Sequence, residues 1–320
     1  MSDTNLAHII TYDIQQFELD NVIVSGVQSV TYNYSAEISS VPTWGNPFAV
    51  KCMYKKPSVN LTISKFISSN APALGINKKL FPYPSGTKPS VRNAQIITRP
   101  TPLIQPEETP LTQLKFNDLV ITSIGYKFAT EGFFTEEISF TGHSLESGVV
   151  PAGGFSRTEV TGITKRRADF YASGVPIEVA QLISKGAALR AVELTIGFQY
   201  GEYPTYGQFY TSASKYVKYP YDMNCSFELV DRAYTPLTDT YAMNSGYLNQ
   251  SQEETMSLST VYKDMTGNPI HIGISGALAI DLGTGNYLIS SERSGGDAGQ
   301  GNYTVYKYIY KNNNSSFTIK

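Results

Sequence analysis

The feature that most constrains this chain is an internal echo. Val30-Thr31-Tyr32-Asn33-Tyr34-Ser35-Ala36-Glu37-Ile38 runs into Pro42-Thr43-Trp44-Gly45, and Val192-Glu193-Leu194-Thr195-Ile196-Gly197-Phe198-Gln199-Tyr200 runs into Pro204-Thr205-Tyr206-Gly207. Pro204 follows Pro42 by 162 positions in a chain of 320. Halves that echo each other at half-length read as two copies of one domain. Each copy must then satisfy the same apolar pattern in the same way.

The echo continues in order. Val59-Asn60-Leu61-Thr62-Ile63-Ser64 matches Met223-Asn224-Cys225-Ser226-Phe227-Glu228, now 164 positions apart, so two extra residues lie in the connecting segment of the second copy. Glu131-Gly132-Phe133-Phe134-Thr135 matches Gln300-Gly301-Asn302-Tyr303-Thr304; these lead into runs through Ile138 and Phe140, and through Tyr306, Tyr308 and Tyr310. Apolar residues recur at every second position in these runs, the pattern of a half-buried strand. The expectation is a mainly β protein of two similar β-sandwich or barrel domains, residues 1–158 and 159–320. Strands fall near 20–40, 46–54, 58–67, 115–129 and 132–142.

Three segments depart from that pattern. Between Asn70 and Leu111 lie eight of the chain's 17 prolines. Proline removes a ladder donor and fixes φ, so this stretch reads as an extended loop rather than sheet, either a surface excursion or, the reading preferred, an arm that packs on a neighbouring subunit. Residues 145–162, with Pro151-Ala152-Gly153-Gly154, read as a linker or hairpin tip. Pro176, Glu178, Lys185 and Gly186 bracket a short flanking helix over Ile177–Lys185.

Composition excludes several function classes. Charged residues make up 16% and the formal net charge is −2, so no basic field invites nucleic acid. No apolar run reaches the roughly 20 residues that span a bilayer. Met1–Ile10 lacks the basic start and apolar core of a signal peptide. Cys52 and Cys225 occupy non-equivalent positions and read as thiols in a reducing compartment. The 23 tyrosines suit strands and protein contacts alike.

A search for chemistry finds none. There is no phosphate-binding Gly-rich loop ending in Lys-Ser/Thr, no His-Glu-x-x-His and no Gly-x-Ser-x-Gly elbow. His8, His143 and His271 are scattered. His143, Ser144 and Glu146 are adjacent in sequence, which does not make a triad. Gly283-Thr284-Gly285 reads as a hairpin turn, Asp281 and Asp297 as turn residues, and Lys165-Arg166-Arg167 as a solvated strand end. The expectation is a protein that is not an enzyme, with no cofactor and no metal.

The tracts Lys165-Arg166-Arg167-Ala168-Asp169-Phe170, Lys215-Tyr216-Val217-Lys218-Tyr219-Pro220-Tyr221-Asp222-Met223, Ile280-Asp281-Leu282-Gly283 and Gly295-Gly296-Asp297-Ala298-Gly299-Gln300-Gly301-Asn302 resemble the tail tube proteins of long-tailed bacteriophages. In the first half, Gly26-Val27-Gln28-Ser29-Val30 and Thr135–His143 are similar to the same family. The resemblance implies a β-sandwich with a flanking helix, whose strands join those of neighbours around a channel. Rings stack into a tube that conducts DNA into the host. The implied partners are further copies of the chain, other tail proteins, and double-stranded DNA as passing cargo; single-domain members form six-membered rings, so two wall domains per chain favour three chains per ring over six. The implied location is the virion, after assembly in host cytoplasm. A tube initiator or terminator of the same fold is the alternative, followed by a duplicated glycan-binding sandwich. Trp44, Gly45, Tyr206 and Gly207, aromatics beside glycines at loop tips, are the candidate contacts between subunits. The proline-rich insertion departs from the smallest members of that family.

Overall fold

The computed structural model describes residues 15–41, 44, 51–54, 57–67, 71, 73–74, 91–98, 111–130, 133–150, 170–202, 215–231, 269–274, 278–295, 304–312 and 318–319. The first half holds β1 (Gln15–Leu19), β2 (Val22–Ile23), β3 (Val27–Ser35), β4 (Ile38–Val41), β5 (Lys51–Tyr54), β6 (Ser58–Phe66), β7 (Arg92–Thr98), β8 (Leu111–Ala129), β9 (Thr135–Gly142) and β10 (Ser144–Val150). The second holds β11 (Phe170–Gly174), α1 (Ile177–Ser184), β12 (Ala188–Glu202), β13 (Lys215–Asp231), β14 (His271–Ile274), β15 (Leu278–Asp281), β16 (Asn286–Gly295), β17 (Thr304–Asn312) and β18 (Thr318–Ile319). The fold is mainly β, as the alternation implies.

The principal sheet runs β3-β6-β9-β8-β12-β13-β17-β16, antiparallel throughout. Along it, buried residues alternate with partly exposed ones. On β12 the buried set is Val192, Leu194, Ile196 and Phe198; on β13 it is Met223, Cys225, Phe227 and Leu229. These side chains join one hydrophobic core cluster with Leu61, Ile63, Ile138 and Phe140 of the first half. A second layer covers the core. In the first half it is β10-β8-β7-β1-β2, where β8 uses its first residues, up to Leu119. In the second it is a sheet of its own, β11-β14-β15-β18. Ile96 and Phe116 from the one, and Ile272 and Ile280 from the other, belong to the same core.

The registers of the halves run in parallel. Val30 pairs with Ile63 and Val192 with Phe227; Tyr32 pairs with Leu61 and Leu194 with Cys225. The separations of 162 and 164 read from the sequence are those of the ladders. Register breaks recur too. The β3–β6 ladder shifts between Val27 and Ser29, and the β12–β13 ladder between Leu189 and Ala191. The β8–β9 ladder shifts between Ile121 and Ser123, and the β16–β17 ladder between Leu288 and Ser290. A bulge bends its strand and raises local twist, so it marks a place where the sheet must curve. The third echo is displaced by one residue: Ile138 pairs with Ile63 and Tyr308 with Phe227, so the corresponding positions are Ile138 and Tyr308 rather than the 169-residue alignment of Thr135 with Thr304.

Several sequence expectations are corrected. The stretch Asn70–Leu111 is not all loop, because β7 lies within it and pairs with both β1 and β8. Pro89 and Pro100 flank Arg92–Thr98 without entering it, so every ladder donor survives there. The start of the stretch is also held, with Ala71, Ala73 and Leu74 buried. Within 145–162, Ser144–Val150 is strand β10 along β8 rather than linker. The strand expected over 20–40 is divided. Asp20 and Asn21 both take positive φ, 53° and 61°, and form a two-residue hairpin turn between β1 and β2. The Asp20 carboxylate accepts from Arg92 Nη1 at 2.9 Å and from the Asn93 amide at 3.1 Å, which fixes that turn to β7.

Gly283-Thr284-Gly285 is a turn but not a hairpin. It carries the chain from β15 in one layer to β16 in the other, and those strands pair with different neighbours. Gly283, at φ 62°, donates to Asp281 Oδ1 at 2.8 Å. The buried amide of Asn312 donates to the Leu282 carbonyl at 2.9 Å and to Asn286 Oδ1 at 2.7 Å, pinning the corner. In the first half β8 makes the same passage without a break, at Asp118 with φ 56°.

Helix α1 follows its signals, with Pro176 at the N-cap and Gly186 at φ 101° beyond the last turn. Lys185 is the C-cap residue rather than part of the last turn. Val179 and Leu182 enter the core. Glu178 also turns inward and accepts from Tyr310 Oη at 2.9 Å. Burial raises its carboxyl above the ordinary 4.5, partly offset by hydrogen bonds from its backbone and from Tyr310. The folded state therefore holds this proton more tightly than the unfolded chain. The associated stability is full below about pH 4.5 and is lost as pH rises through the raised folded value. Glu178→Gln keeps an acceptor for Tyr310 and should flatten that part of the profile. Urea midpoints of both proteins across the acid-to-neutral range measure it.

Candidate functional site

The face of the principal sheet turned away from the core is mostly polar from β3 to β13, while on β17 it carries Val305 and Ile309 alternating with Lys307 and Lys311. Antiparallel registry sets Thr31 beside Thr62, Thr62 beside Ser139, and Ser139 beside Ser123. Farther along, Gly125 stands beside Thr195 and Thr195 beside Asn224. Thr62 Oγ1 and Ser139 Oγ are 3.1 Å apart and share a hydrogen bond. Period two produces this face: on β6 Asn60 and Thr62, and on β13 Asn224 and Ser226, each lie between two buried apolar residues.

Charges on the face are interleaved. Lys127 Nζ lies 2.8 Å from Glu193 Oε1 across the β8–β12 junction. Arg190 meets Glu228 at 3.2 Å, and Lys311 meets Asp222 at 3.2 Å. Lys307 stands opposite Glu292 in the β16–β17 ladder. These side chains are partly exposed, where such a pair contributes about 0–1 kcal/mol. Their consequence is electrostatic: cations are matched by neighbouring anions, and the face presents small hydroxyls between mixed charges.

The sheet ends in two edges. Among the described residues, β3 pairs only with β6 and β16 only with β17. The edges differ in chemistry. Tyr32 and Tyr34 on β3 are 47% and 49% exposed, whereas their counterparts Leu194 and Ile196 on β12 are fully buried. The outer end of β16 carries Ser291, Glu292, Arg293 and Ser294, all exposed. Arg293 lies over the Tyr306 ring at 5.8 Å. The sequence pattern put Tyr32 and Tyr34 on the apolar phase of their strand; that they would lie at an open edge required the strand order.

Of the residues singled out in the sequence, Trp44 lies between β4 and β5 with its side chain entirely in solvent, at 106% relative exposure. Gly45, Tyr206 and Gly207 fall outside the described residues, as do His8, Asp297 and Lys165-Arg166-Arg167. His143, Ser144 and Glu146 form no relay. His143 Nδ1 lies 2.7 Å from the Pro57 carbonyl, and Glu146 Oε1 accepts from Asn117 Nδ2 at 3.0 Å. Cys225 is a buried free thiol whose pKa burial pushes up, so it is a poor nucleophile.

Among the described residues, no group of three or more His, Cys, Asp or Glu side chains is placed to hold a metal ion. No described helix is long and apolar enough to cross a membrane. The pattern also concealed two buried opposite charges. Lys65 and Glu136 face each other in the β6–β9 ladder on the apolar phase of both strands. A charge in phase with Ile63 and Ile138 was the available signal. No family model matches this chain, and no curated protein matches its sequence.

Proposed function

We propose that this chain is a tandem duplication of one β domain that builds the inner tube of a long-tailed bacteriophage tail, a stacked-ring conduit for DNA. The observation that carries the reading is the eight-stranded antiparallel sheet, with an apolar face on its core, a mixed-charge polar face, and the same strand order in its two halves. A channel that passes DNA must not hold it. Each phosphate neutralised by a fixed lysine or arginine adds counterion-release affinity, so a wall of hydroxyls and self-paired charges favours sliding. The protein acts structurally, in the virion, with other tail components at the tube ends.

Geometry bears on the number of chains per ring. Strands about 4.8 Å apart and tilted about 40° in a closed barrel fix its circumference. Three chains with eight wall strands each give a backbone diameter of about 48 Å, and side chains leave roughly 40 Å. A duplex with grooves about 8 Å deep on either side is roughly 20 Å across and passes freely. Six such chains would make a wall about 95 Å across, far wider than the cargo needs. Three chains, with six copies of the domain, is the reading adopted.

Electron micrographs of the purified protein at high concentration test it. Hollow tubes with threefold symmetry support the proposal; persistent monomers, or rings of six identical chains, overturn it in whole or in the stoichiometry. Trp44 is fully in solvent, which supports its assignment to the contact between stacked rings. Trp44→Ala should shorten or abolish tubes while leaving the circular dichroism of the monomer unchanged, because the indole buries nothing in its own chain. Tubes of normal length would remove it from the contact.

A further inference from the structure

The β8–β12 junction within the chain has the form of a contact between two chains. β8 is the last strand of the first set of four in the principal sheet, and β12 is the first strand of the second set. The corresponding strands at the two ends of the sheet are β16, last of its set, and β3, first of its set. Both are open edges among the described residues. We infer that β16 of one copy pairs antiparallel with β3 of the next, in the register of the internal junction. The inference rests on the tube reading for the existence of a ring, but its register comes from the ladders alone.

The register follows residue by residue. Within the chain Val192 pairs with Phe128, Leu194 with Tyr126 and Ile196 with Ile124. The matched ladders and bulges carry Val192, Leu194 and Ile196 onto Val30, Tyr32 and Tyr34, and carry Phe128, Tyr126 and Ile124 onto Gly295, Arg293 and Ser291. Between copies, Tyr32 then stands opposite Arg293, Tyr34 opposite Ser291, and Asn33 opposite Glu292. The chemistry fits. A guanidinium beside a tyrosine ring is attracted to its π face, and a serine hydroxyl can meet a tyrosine hydroxyl.

The difference between the two junctions is itself informative. The internal one joins Tyr126 and Ile124 to Leu194 and Ile196, all fully buried. The outer one replaces one side with arginine and serine and the other with tyrosine, which tolerate water before assembly. Charge on an open edge is how β proteins avoid indiscriminate pairing. The half-exposure of Tyr32 and Tyr34, where their counterparts are covered, is the deficit that a neighbouring strand would fill.

Paired cysteines test the register in the full chain, with Cys52→Ser to remove that thiol and Cys225 left buried. Antiparallel partners have Cα atoms about 4.5–5.5 Å apart, within disulfide reach, whereas a residue two places along lies beyond it. Asn33→Cys with Glu292→Cys should oxidise to covalent multimers closing at the ring size, about tenfold more than Asn33→Cys with Ser290→Cys or with Ser294→Cys. Tubes that cross-link best through an off-register pair, or through none, overturn the register and leave the tube reading standing. Cross-linked closed rings that never stack support the register and overturn the tube. A chain that stays monomeric and uncross-linked overturns both. Should the variants misfold, hydrogen exchange on the wild type decides: backbone amides of 29–35 and 290–295 gain protection together on assembly if the strands pair, and unchanged exchange there rejects it.

Discussion

Lys65→Met should lower the unfolding free energy by about 3–5 kcal/mol, the usual cost of leaving a buried charge without its opposite. Lys65 is 2% exposed and faces Glu136, which is fully buried. Lys65 Nζ donates to the Ala71 carbonyl at 3.1 Å, and Glu136 Oε2 accepts from the Leu74 amide at 2.6 Å. The pair therefore ties the first residues of the proline-rich stretch beneath the sheet. Burial lowers the Lys65 pKa while Glu136 opposes the shift. The hydroxyl of buried Tyr126 is pushed well up by burial first and by the Glu136 charge second. Methionine at 65 would leave that carboxylate beside the Tyr126 phenol without the lysine charge opposite it. Adding Glu136→Gln removes the stranded charge yet keeps an acceptor for Leu74, so the double variant should recover most of the loss. Urea titrations of the two single variants and the double variant measure the coupling. A loss under about 1 kcal/mol for Lys65→Met would show that the carboxylate protonates or finds water instead.

Phe227→Ala should cost about 3–5 kcal/mol. Phe227 is fully buried on β13, stands between Val192 and Tyr308 in the ladders, and meets the Tyr310 ring edge-on at 5.9 Å and 81°. Its loss opens a void shared by β12, β13 and β17, whose backbones cannot collapse without breaking ladder bonds. Thr195→Ala, one strand away on the polar face, should stay within about 0.5 kcal/mol. Thermal melts of the two variants compare the faces directly. Equal losses would mean that the sheet is covered on both sides in the isolated chain.

Much of the fold was legible because a strand's period is short and local. Val192 to Phe198 declared their buried face by alternation alone, and the helix declared itself through Pro176, Glu178 and Gly186. Other elements carried no such mark. β7 was obscured by the prolines around it, and β10 by the glycines and small residues that follow it. The β1–β2 hairpin was missed because Asp20-Asn21 supplies the two positive φ values without a glycine. Of the contact candidates, Trp44 was recognisable as an aromatic beside a glycine at a loop tip, and its full exposure agrees with that position. Lys65 and Glu136 were visible only as charges on the wrong phase, and nothing local said that they would meet.

The sequence by itself determined which residues face inward on each strand and how far apart the matching strands of the two halves lie. Both follow from spacing along the chain, which a pleated backbone converts directly into sides of a sheet. Strand order was a tertiary matter. Whether β8 pairs with β12, and so which edges stay open, depends on hydrogen bonds between segments distant in sequence, and every strand offers the same donors and acceptors. Tyr32 and Leu194 occupy matching positions in the same pattern. One is half exposed and the other fully buried, because only Leu194 has a strand on each side.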